Sequence, residues 1–347
     1  MVAIRSKPPS GVSRLAEVAD LARVSPATVS RAFNAPNLLN EATLKRVNAA
    51  AAELNYIPDG LARSLRRNRS MVIGAVVPAL RHAYFASTVE GLQSEIARHG
   101  YTLLLATSDF DEKAELAAVR SMIRQGVDGV VLVGMQHDPA LLPLLNDLGK
   151  PFIVTWSYDT TVASVGFDHR KAIQPVVNHL LDLGHRDVVA IMAFLNVSDR
   201  ERDRLAGIED AFDGRGAAFP RDRVIFAGGS GLQDGRNAFR TAQARFPEAT
   251  AVICANDLLA AGAMMECTSR GLSVPHDVSV VGYGDLDIAA AMTPAITTVR
   301  TPAAEMGRMA ANSLLAKLAG ADGVEHIELA TELIVRGSTG PARPARM

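Results

Sequence analysis

From residue 71 onward, short apolar segments alternate with amphipathic stretches, and this alternation restricts the folds open to the chain. Segments that are apolar throughout indicate strands of a parallel sheet covered on both faces. The stretches between them, such as 86–99, 111–125 and 257–271, have helical spacing. Eight of the predicted strands lie in MVIGAVVPA, YTLLLATS, GVDGVVLVG, PFIVTWS, DVVAIMAF, RVIFAG, AVICAND and VSVVGYGD.

The number of these segments predicts two lobes. About ten strands exceed what one compact open sheet usually carries. We therefore expect an α/β core of two lobes with parallel sheets, and a length of 347 residues accommodates it together with a smaller domain.

The segment VSPATVSRAFN, residues 24–34, predicts a short capped helix. Ser25 is a good N-cap, and Pro26 falls at the first helical position, where its missing N–H costs nothing. Val29 and Phe33 lie four residues apart and share one buried face. The opposite face is small, polar and cationic, with Thr28, Ser30 and Arg31.

Helical signals on either side complete a three-helix unit over residues 13–57. Ser13 can cap a first helix, and Asn40 can cap a third. Short connections between three helices fit a helix-turn-helix, whose second helix enters the major groove of DNA. We expect residues 1–12 to be a disordered tail.

Charge is distributed unevenly along the chain. Residues 1–70 hold 11 Lys and Arg against 5 Asp and Glu, whereas the whole chain has a net charge of −1. Such asymmetry favours a polyanionic partner, with a solvated basic end as the alternative. Residues 58–70 read as a cationic linker or hinge helix that holds two leucines, Leu61 and Leu65.

Other classes of protein find little support. Cys254 and Cys267 are best explained as reduced structural thiols. The first residues lack a secretory leader, and no apolar run reaches the ~18 residues of a membrane helix, so we expect a cytoplasmic protein. Phosphate-loop, dinucleotide, nucleophile-elbow and zinc-protease motifs are absent, which predicts no enzyme activity, catalytic residue, metal or cofactor.

Six segments, in order, resemble the lac repressor (LacI/GalR) family of bacterial transcription regulators. They are LAEVADLARVSPATVSRAFN, ELNYIPDGLARSL, RLAG, ANDLLAAGAM, VPHDVSVVGYGD and TPAITTVRTP. The resemblance implies a homodimer, associated with the nucleoid, that represses genes by binding a near-palindromic operator. It also implies a core like a periplasmic sugar-binding protein, with a small effector between the lobes.

The resemblance also implies which residues contact DNA. Arg31 is the main candidate for a guanine contact, because the other residues facing bases are apolar. In the hinge, Leu65 matches the wedge that enters the minor groove, with the small Ala62 beside it. The full candidate set is Ser25, Pro26, Ala27, Thr28, Ser30, Arg31, Ala62 and Leu65.

Ligands of open α/β sheets lie beyond the carboxyl ends of the strands. Together with the family resemblance, this rule predicts which residues bind the effector. Arg204 can grip ligand oxygens in a bidentate fork. Asp257 matches a residue that accepts from ligand hydroxyls, or is a structural N-cap. The aromatic residues can stack on a sugar or belong to the core. The candidates are Tyr84, Phe85, Trp156, Asp168, Arg204, Asn256, Asp257 and Asp285.

One departure from the family pattern concerns the effector. Many members have an acidic residue directly after the Tyr of the GY turn, whereas this chain has Gly284 there and Asp285 one position later. That pattern resembles the gluconate-repressor branch and favours a sugar acid over a neutral sugar. Arg81 and His82 suit an anionic ligand, although surface solvation explains them equally well.

The remaining expectations concern boundaries and alternatives. The N-terminal core lobe is predicted at 71–168 and 300–326, and the C-terminal core lobe at 169–299 and 327–338. A disordered tail over 339–347 without leucine heptads predicts a dimer rather than a tetramer. The alternatives are a regulator that needs a co-repressor or activates transcription and, with less support, a sugar-binding protein or an enzyme on this scaffold.

Overall fold

A computed structural model describes residues 15–57, 69–321, 323 and 325–343. The chain divides into two compact units between Ser70 and Met71. The first is helical, and the second contains the parallel sheets. In the described part of the chain, no helix is both long and apolar enough to cross a membrane.

Three short helices form the headpiece, as the spacing predicts. They are joined by a 3₁₀ turn at Pro36–Leu38, and Val18, Val29 and Val47 are completely buried between them. Two of the three predicted caps are confirmed: Ser25 Oγ accepts from the Thr28 amide at 3.1 Å, and Asn40 Oδ1 accepts from the Thr43 amide at 2.8 Å. The third, Ser13, lies outside the described residues. The helices are α1 (Leu15–Ala22), α2 (Pro26–Asn34) and α3 (Glu41–Glu53).

The N-terminal lobe has a six-stranded sheet in the order β11-β5-β4-β3-β1-β2, in which all neighbours are parallel. Its helices are α4 (Ala83–Arg98), α5 (Glu112–Arg124), α6 (Leu141–Asp147) and α12 (Ala303–Leu318). Its strands are β1 (Val72–Val77), β2 (Thr102–Thr107), β3 (Gly129–Val133), β4 (Phe152–Thr155), β5 (Ser164–Gly166) and β11 (His326–Glu328).

The C-terminal lobe has a four-stranded parallel sheet in the order β7-β6-β8-β9. Its strands are β6 (Val188–Met192), β7 (Val224–Phe226), β8 (Ala251–Cys254) and β9 (Ser279–Val281). Its helices are α7 (His169–Asp182), α8 (Asp199–Asp213), α9 (Leu232–Arg245), α10 (Asp257–Ser269) and α11 (Asp287–Ala291).

Near the C terminus, the pairing of three short strands shows where the lobes meet and shifts one predicted lobe boundary. An antiparallel ribbon pairs β10 (Thr298–Arg300) with β12 (Glu332–Ile334). Strand β11 runs beside β5 through Glu328, so the N-terminal lobe extends past the predicted boundary at residue 326. The strand is only three residues long, and its pairing is set by a partner more than 150 residues earlier.

The expectation of a disordered tail is wrong for residues 339–343, which bind along the C-terminal lobe. The Gly340 amide donates to Ser279 Oγ at 3.1 Å, and the Ala342 amide donates to the Leu183 carbonyl at 2.9 Å. The Gly- and Pro-rich composition suggested disorder, but it does not reveal the distant groups that satisfy this backbone. Residues 344–347 lie outside the described part.

Candidate functional site

The outer face of α2 holds the predicted DNA-contacting residues. Val29 is buried, whereas Arg31 is exposed and its guanidinium meets no acceptor within the described residues. Ser25, Pro26 and Ala27 are also exposed, and Thr28 and Ser30 are partly so. Within the described residues, this face is therefore accessible and carries a cation. The hinge candidates Ala62 and Leu65 lie outside the described residues.

A cavity lies in the core between the two lobes, at the carboxyl ends of their strands. Tyr84 and Phe85 follow β1, Trp156 follows β4, and Arg204 lies on α8. The sequence predicts these four residues, and all four line the cavity. The other lining residues are Phe110, His169, Phe194, Ser198, Arg200, Glu201, Ala255, Tyr283, Gly284 and Thr301.

Arg204 is held on three sides at the floor of this cavity. Its guanidinium lies over the Tyr283 ring, 4.6 Å from the centroid, and Nη1 donates to His169 Nδ1 at 3.1 Å. Glu201 Oε1 is 3.7 Å from Nη2. The Nε–H is buried without a hydrogen-bond partner in the described part of the chain. Arg204 is therefore an oriented cation with one N–H available to a ligand.

The protonation state of His169 follows from its contacts. Its Nε2 lies 2.7 Å from the Trp156 carbonyl and must donate to it, so Nδ1 accepts from Arg204 and from the Tyr283 hydroxyl at 3.2 Å. Burial, and then the nearby Arg204 and Arg200, hold the pKa of His169 well below its usual range. The ring is neutral and fixes the orientation of Arg204.

Glu201 faces the cavity but is largely engaged by the protein. Its Oε2 accepts from the backbone amides of Ala193 and Phe194, at 2.9 and 2.7 Å. Those amides follow β6, so the carboxylate ties α8 to the end of that strand. The cavity also has two arginines, Arg200 and Arg204, and its surroundings favour an anionic ligand.

Aromatic side chains form the wall on the side of the N-terminal lobe. The Trp156 ring lies 5.3 Å from Tyr84 and 5.5 Å from Phe85, both edge to face. Trp156 has a φ of 69°, an unusual conformation for a bulky residue. Its buried Nε1–H has no hydrogen-bond partner within the described residues. The wall combines apolar area with one available donor.

Four predicted effector residues do not line the cavity. Asp168 and Asn256 are helix N-caps: Asp168 accepts from Arg170 and Lys171, and Asn256 accepts from Leu259. Their side chains satisfy the backbone at the starts of α7 and α10.

The other two, Asp257 and Asp285, are tied to the protein itself. Asp257 is completely buried and accepts from Thr298 Oγ1 at 2.6 Å and from the Leu286 amide at 2.7 Å. Burial raises its pKa to about 6. Asp285 is paired with Arg300 and Arg336, at 2.7 and 2.6 Å. Both carboxylates stabilise the turn that holds Gly284.

Arg81 and His82, suggested as anion-binding residues, have other partners. Arg81 is paired with Asp109 at 2.6 Å, on the surface. His82 is buried and hydrogen-bonded to Ser230 of the other lobe at 3.1 Å. Burial and the neighbouring Arg81 lower the pKa of His82 to about 4, so it is neutral and supplies no charge to a ligand.

Several lining residues are not among those that the sequence predicts. Phe110 and Phe194 follow β2 and β6, and the rings stack 4.4 Å apart across the cleft. Both residues follow the carboxyl end of a parallel strand, where ligands of such sheets bind, so the sequence contains a signal for them. Arg200 and Glu201 precede Arg204 by about one helical turn, and helical spacing alone brings them to the same face. His169, next to the predicted Asp168, carried no signal of its own.

Comparison with known proteins identifies the family. Residues 14–59 match the model of bacterial regulatory proteins, lacI family, and residues 177–339 match that of the periplasmic binding protein-like domain. HTH-type transcriptional regulator GntR of Escherichia coli K12 is 31% identical over 308 residues, which cover 88% of this chain and 92% of that protein. The regulator IdnR of the same strain is 30% identical, with coverages of 89% and 92%.

Solved structures agree with this fold. The lac repressor dimer bound to operator and the anti-inducer ONPF has a TM-score of 0.84 at 28% identity, over 95% of this chain and 99% of that chain. Transcription regulator GntR from Chromobacterium violaceum has a TM-score of 0.74 at 28% identity, over 77% and 99% of the two chains. These relatives are transcription regulators, not enzymes. The chain therefore belongs to the lacI family of bacterial regulatory proteins and is a DNA-binding transcription regulator.

Proposed function

We propose that this regulator acts as a homodimeric repressor whose operator binding is controlled by a sugar acid in the cleft between the core lobes. The observation that supports this most is Arg204, a buried and oriented cation whose Nε–H has no hydrogen-bond partner within the described residues. A ligand carboxylate there forms a charge-assisted pair, which is stronger than a contact between neutral groups.

The surrounding carboxylates support an anion over a neutral sugar. Asp257 and Asp285, which the sequence offers as acceptors of sugar hydroxyls, are engaged by groups of the protein. Gly284 lines the cavity where a carboxylate would repel an anion. The aromatic wall then suits the C–H face of the ligand.

Calorimetric titration of the full-length protein with gluconate and with glucose tests the effector class. We expect gluconate to bind and to raise the melting temperature, because a ligand selective for the folded state stabilises it. Tight binding of glucose, with no heat from gluconate or other aldonic acids, would make the sugar-acid assignment wrong.

On DNA, we propose that α2 contacts base edges in the major groove and that Leu65 wedges into the minor groove. The exposed Arg31 and the positive charge of residues 1–70 support this arrangement. Footprinting should give a two-fold symmetric site bound by a dimer, with strong salt dependence. Protection of a single half-site by a monomer would contradict it.

Leu65→Ala tests the hinge separately. A wedge contributes through the kink that it stabilises, so the variant should lose specific binding more than non-specific binding. An unchanged ratio of specific to non-specific affinity would remove Leu65 from the interface.

A comparison of operator affinity with and without gluconate then separates induction from co-repression. A repressor of this kind acts on the nucleoid, in the cytoplasm.

A further inference from the structure

A second, polar pocket adjoins the effector cavity, and Phe110 and Arg200 belong to the linings of both. It lies beyond the carboxyl ends of β1, β2 and β3, with the start of α8 on its other side. We call it the polar compartment; it is lined by Pro78, Ser108, Phe110, Asp111, Glu112, Glu115, Val133, Gln136, Val197, Asp199 and Arg200.

Three polar side chains of this compartment are at least nine-tenths buried and have unused hydrogen-bonding atoms. Ser108 is 8% exposed, Glu115 6% and Arg200 6%. Within the described residues, Ser108 Oγ has no hydrogen-bond partner, and Glu115 uses only Oε2, which lies 2.7 Å from His137. Arg200 uses only Nη1, which donates to Asp199 at 3.0 Å.

The position of Arg200 is fixed by both lobes. Asp199 Oδ2 accepts from the Met135 amide at 2.6 Å, which joins the start of α8 to the loop after β3. The Arg200 guanidinium lies so close to Gly134 that a Cβ there would come within 1.7 Å of Nη1. The remaining N–H groups, on Nε and Nη2, are therefore presented from a rigid side chain.

The free atoms form a mixed set of donors and acceptors. A guanidinium donates, a carboxylate accepts, and a serine hydroxyl does both. A ligand that forms hydrogen bonds to these unused atoms gains affinity, because each such bond contributes about 1 kcal/mol. Sugar hydroxyls, which donate and accept, match this set. In the described part of the chain, no group of His, Cys, Asp and Glu side chains is arranged to hold a metal ion.

We infer that the polar compartment binds the hydroxyl groups of a second hexose, so that the effector is a disaccharide aldonic acid rather than a single sugar acid. The inference rests on the proposed function, because it places the ligand carboxylate at Arg204 in the first cavity. The second hexose then passes Phe110 and Arg200 and reaches Ser108 and Glu115.

Calorimetry on the full-length protein can separate the two proposals. The ligands are gluconate, three hexosyl gluconates (lactobionate, maltobionate and cellobionate) and lactose as a neutral disaccharide. We expect at least one hexosyl gluconate to bind about tenfold more tightly than gluconate, since it adds two or more hydrogen bonds. Lactose should bind much more weakly, because it lacks the carboxylate.

Ser108→Ala tests the compartment directly. Because Ser108 Oγ has no partner in the described part of the protein, the change should spare the fold and reduce hexosyl gluconate affinity about fivefold while gluconate affinity stays within about twofold. Ser313→Ala is the matched control, since Ser313 Oγ is also buried without a described partner, on α12. It should change neither affinity.

The outcomes distinguish the two proposals. If gluconate binds and none of the three hexosyl gluconates binds more tightly, the second-hexose site is wrong and the sugar-acid effector stands. The same holds if Ser108→Ala weakens gluconate and the hexosyl gluconates equally. If lactose alone binds, and Ser108→Ala weakens it, the compartment is correct and the sugar-acid assignment is wrong. If no ligand binds, both proposals fail.

Discussion

Helices α2 and α8 each carry an arginine that we propose contacts a ligand, and the two side chains have opposite surroundings. Arg31 on α2 is exposed, and no acceptor in the described part of the chain holds its guanidinium. Arg204 on α8 is 9% exposed and is held by the Tyr283 face and by His169. The Arg204 guanidinium is therefore oriented in the free protein, whereas we expect Arg31 to be ordered only on DNA.

This difference has an energetic consequence. Fixing a long exposed side chain on binding costs conformational entropy, and salt screens its charge. A headpiece of this kind gains affinity from many contacts to phosphates, each of them small. A buried and pre-oriented arginine loses little freedom on binding, and its charge acts in a medium of lower dielectric. The cleft can therefore depend on a few strong contacts.

Arg204→Ala should produce the largest change. We expect effector affinity to fall by about 3 kcal/mol, roughly a hundredfold, because a charge-assisted contact is lost and Glu201 loses its nearby cation. Operator affinity without effector should stay as in the wild type, so the variant should no longer respond to effector. Titration calorimetry and a gel shift measure the two halves.

Arg221→Ala is the control, because Arg221 is an exposed arginine outside the cavity that is paired with Glu209. It should leave effector affinity unchanged. An Arg204→Ala protein with wild-type effector affinity would remove Arg204 from the site and would weaken the contrast with Arg31.

Arg31→Ala should have a smaller effect, on DNA. We expect a loss of about 1–3 kcal/mol in specific binding and a relaxed preference at one base position in each half-site. Arg46→Ala, which removes an exposed arginine of α3, is the charge-matched control and should weaken binding to all sequences alike. If the two variants lose the same specificity, Arg31 contacts phosphate and not a base.

The two helices also differ in how far the sequence predicts them. The structure of α2 depends on neighbours within a few positions: Ser25 caps it, Pro26 begins it and Val29 packs under it. Those signals are local and were sufficient. Arg204 was found through the family resemblance, whereas the residues that orient it, His169 and Tyr283, are 35 and 79 positions away in the chain.

Distance along the chain also explains why two predicted carboxylates do not line the cavity. Asp257 and Asp285 look like ligand-binding carboxylates at strand ends, but their partners Thr298, Arg300 and Arg336 are 15 to 51 positions later. No local pattern reports such pairing. Parallel strands and their order of alternation with helices were predictable, because apolar runs and helical spacing are themselves local.

Acid should weaken the core through its buried histidines. The pKa of His82 is lowered to about 4, and burial holds the pKa of His169 well below its usual range, whereas unfolded histidine titrates near 6.5. Between pH 6.5 and 4 the unfolded chain binds protons that the folded core does not. Each histidine should therefore lower the free energy of unfolding as pH falls, by at most ~1.4 kcal/mol per pH unit.

His169→Gln and His82→Gln should each reduce this pH dependence, and His99→Gln, at an exposed position, should not. Asp257, whose pKa is raised to about 6, acts in the opposite direction, because its contribution falls as pH rises from about 4 to 6. Urea unfolding at pH 7.5, 6.0 and 5.0, followed by fluorescence of Trp156, the single tryptophan, measures the core. If the free energy of unfolding varies with pH equally in all three variants, neither the His82 nor the His169 ring is neutral in the folded protein.

Trp156→Phe should give the smallest change and tests the aromatic wall. The substitution keeps a ring against Tyr84 and Phe85 but removes the buried Nε1–H that has no described partner. We expect effector affinity to fall by about 1 kcal/mol, the value of one neutral hydrogen bond. Tyr101→Phe is the control, since it removes another unpartnered polar atom of a buried ring, outside the cavity. If Trp156→Phe costs as much as Arg204→Ala, the wall, and not the fixed cation, dominates recognition.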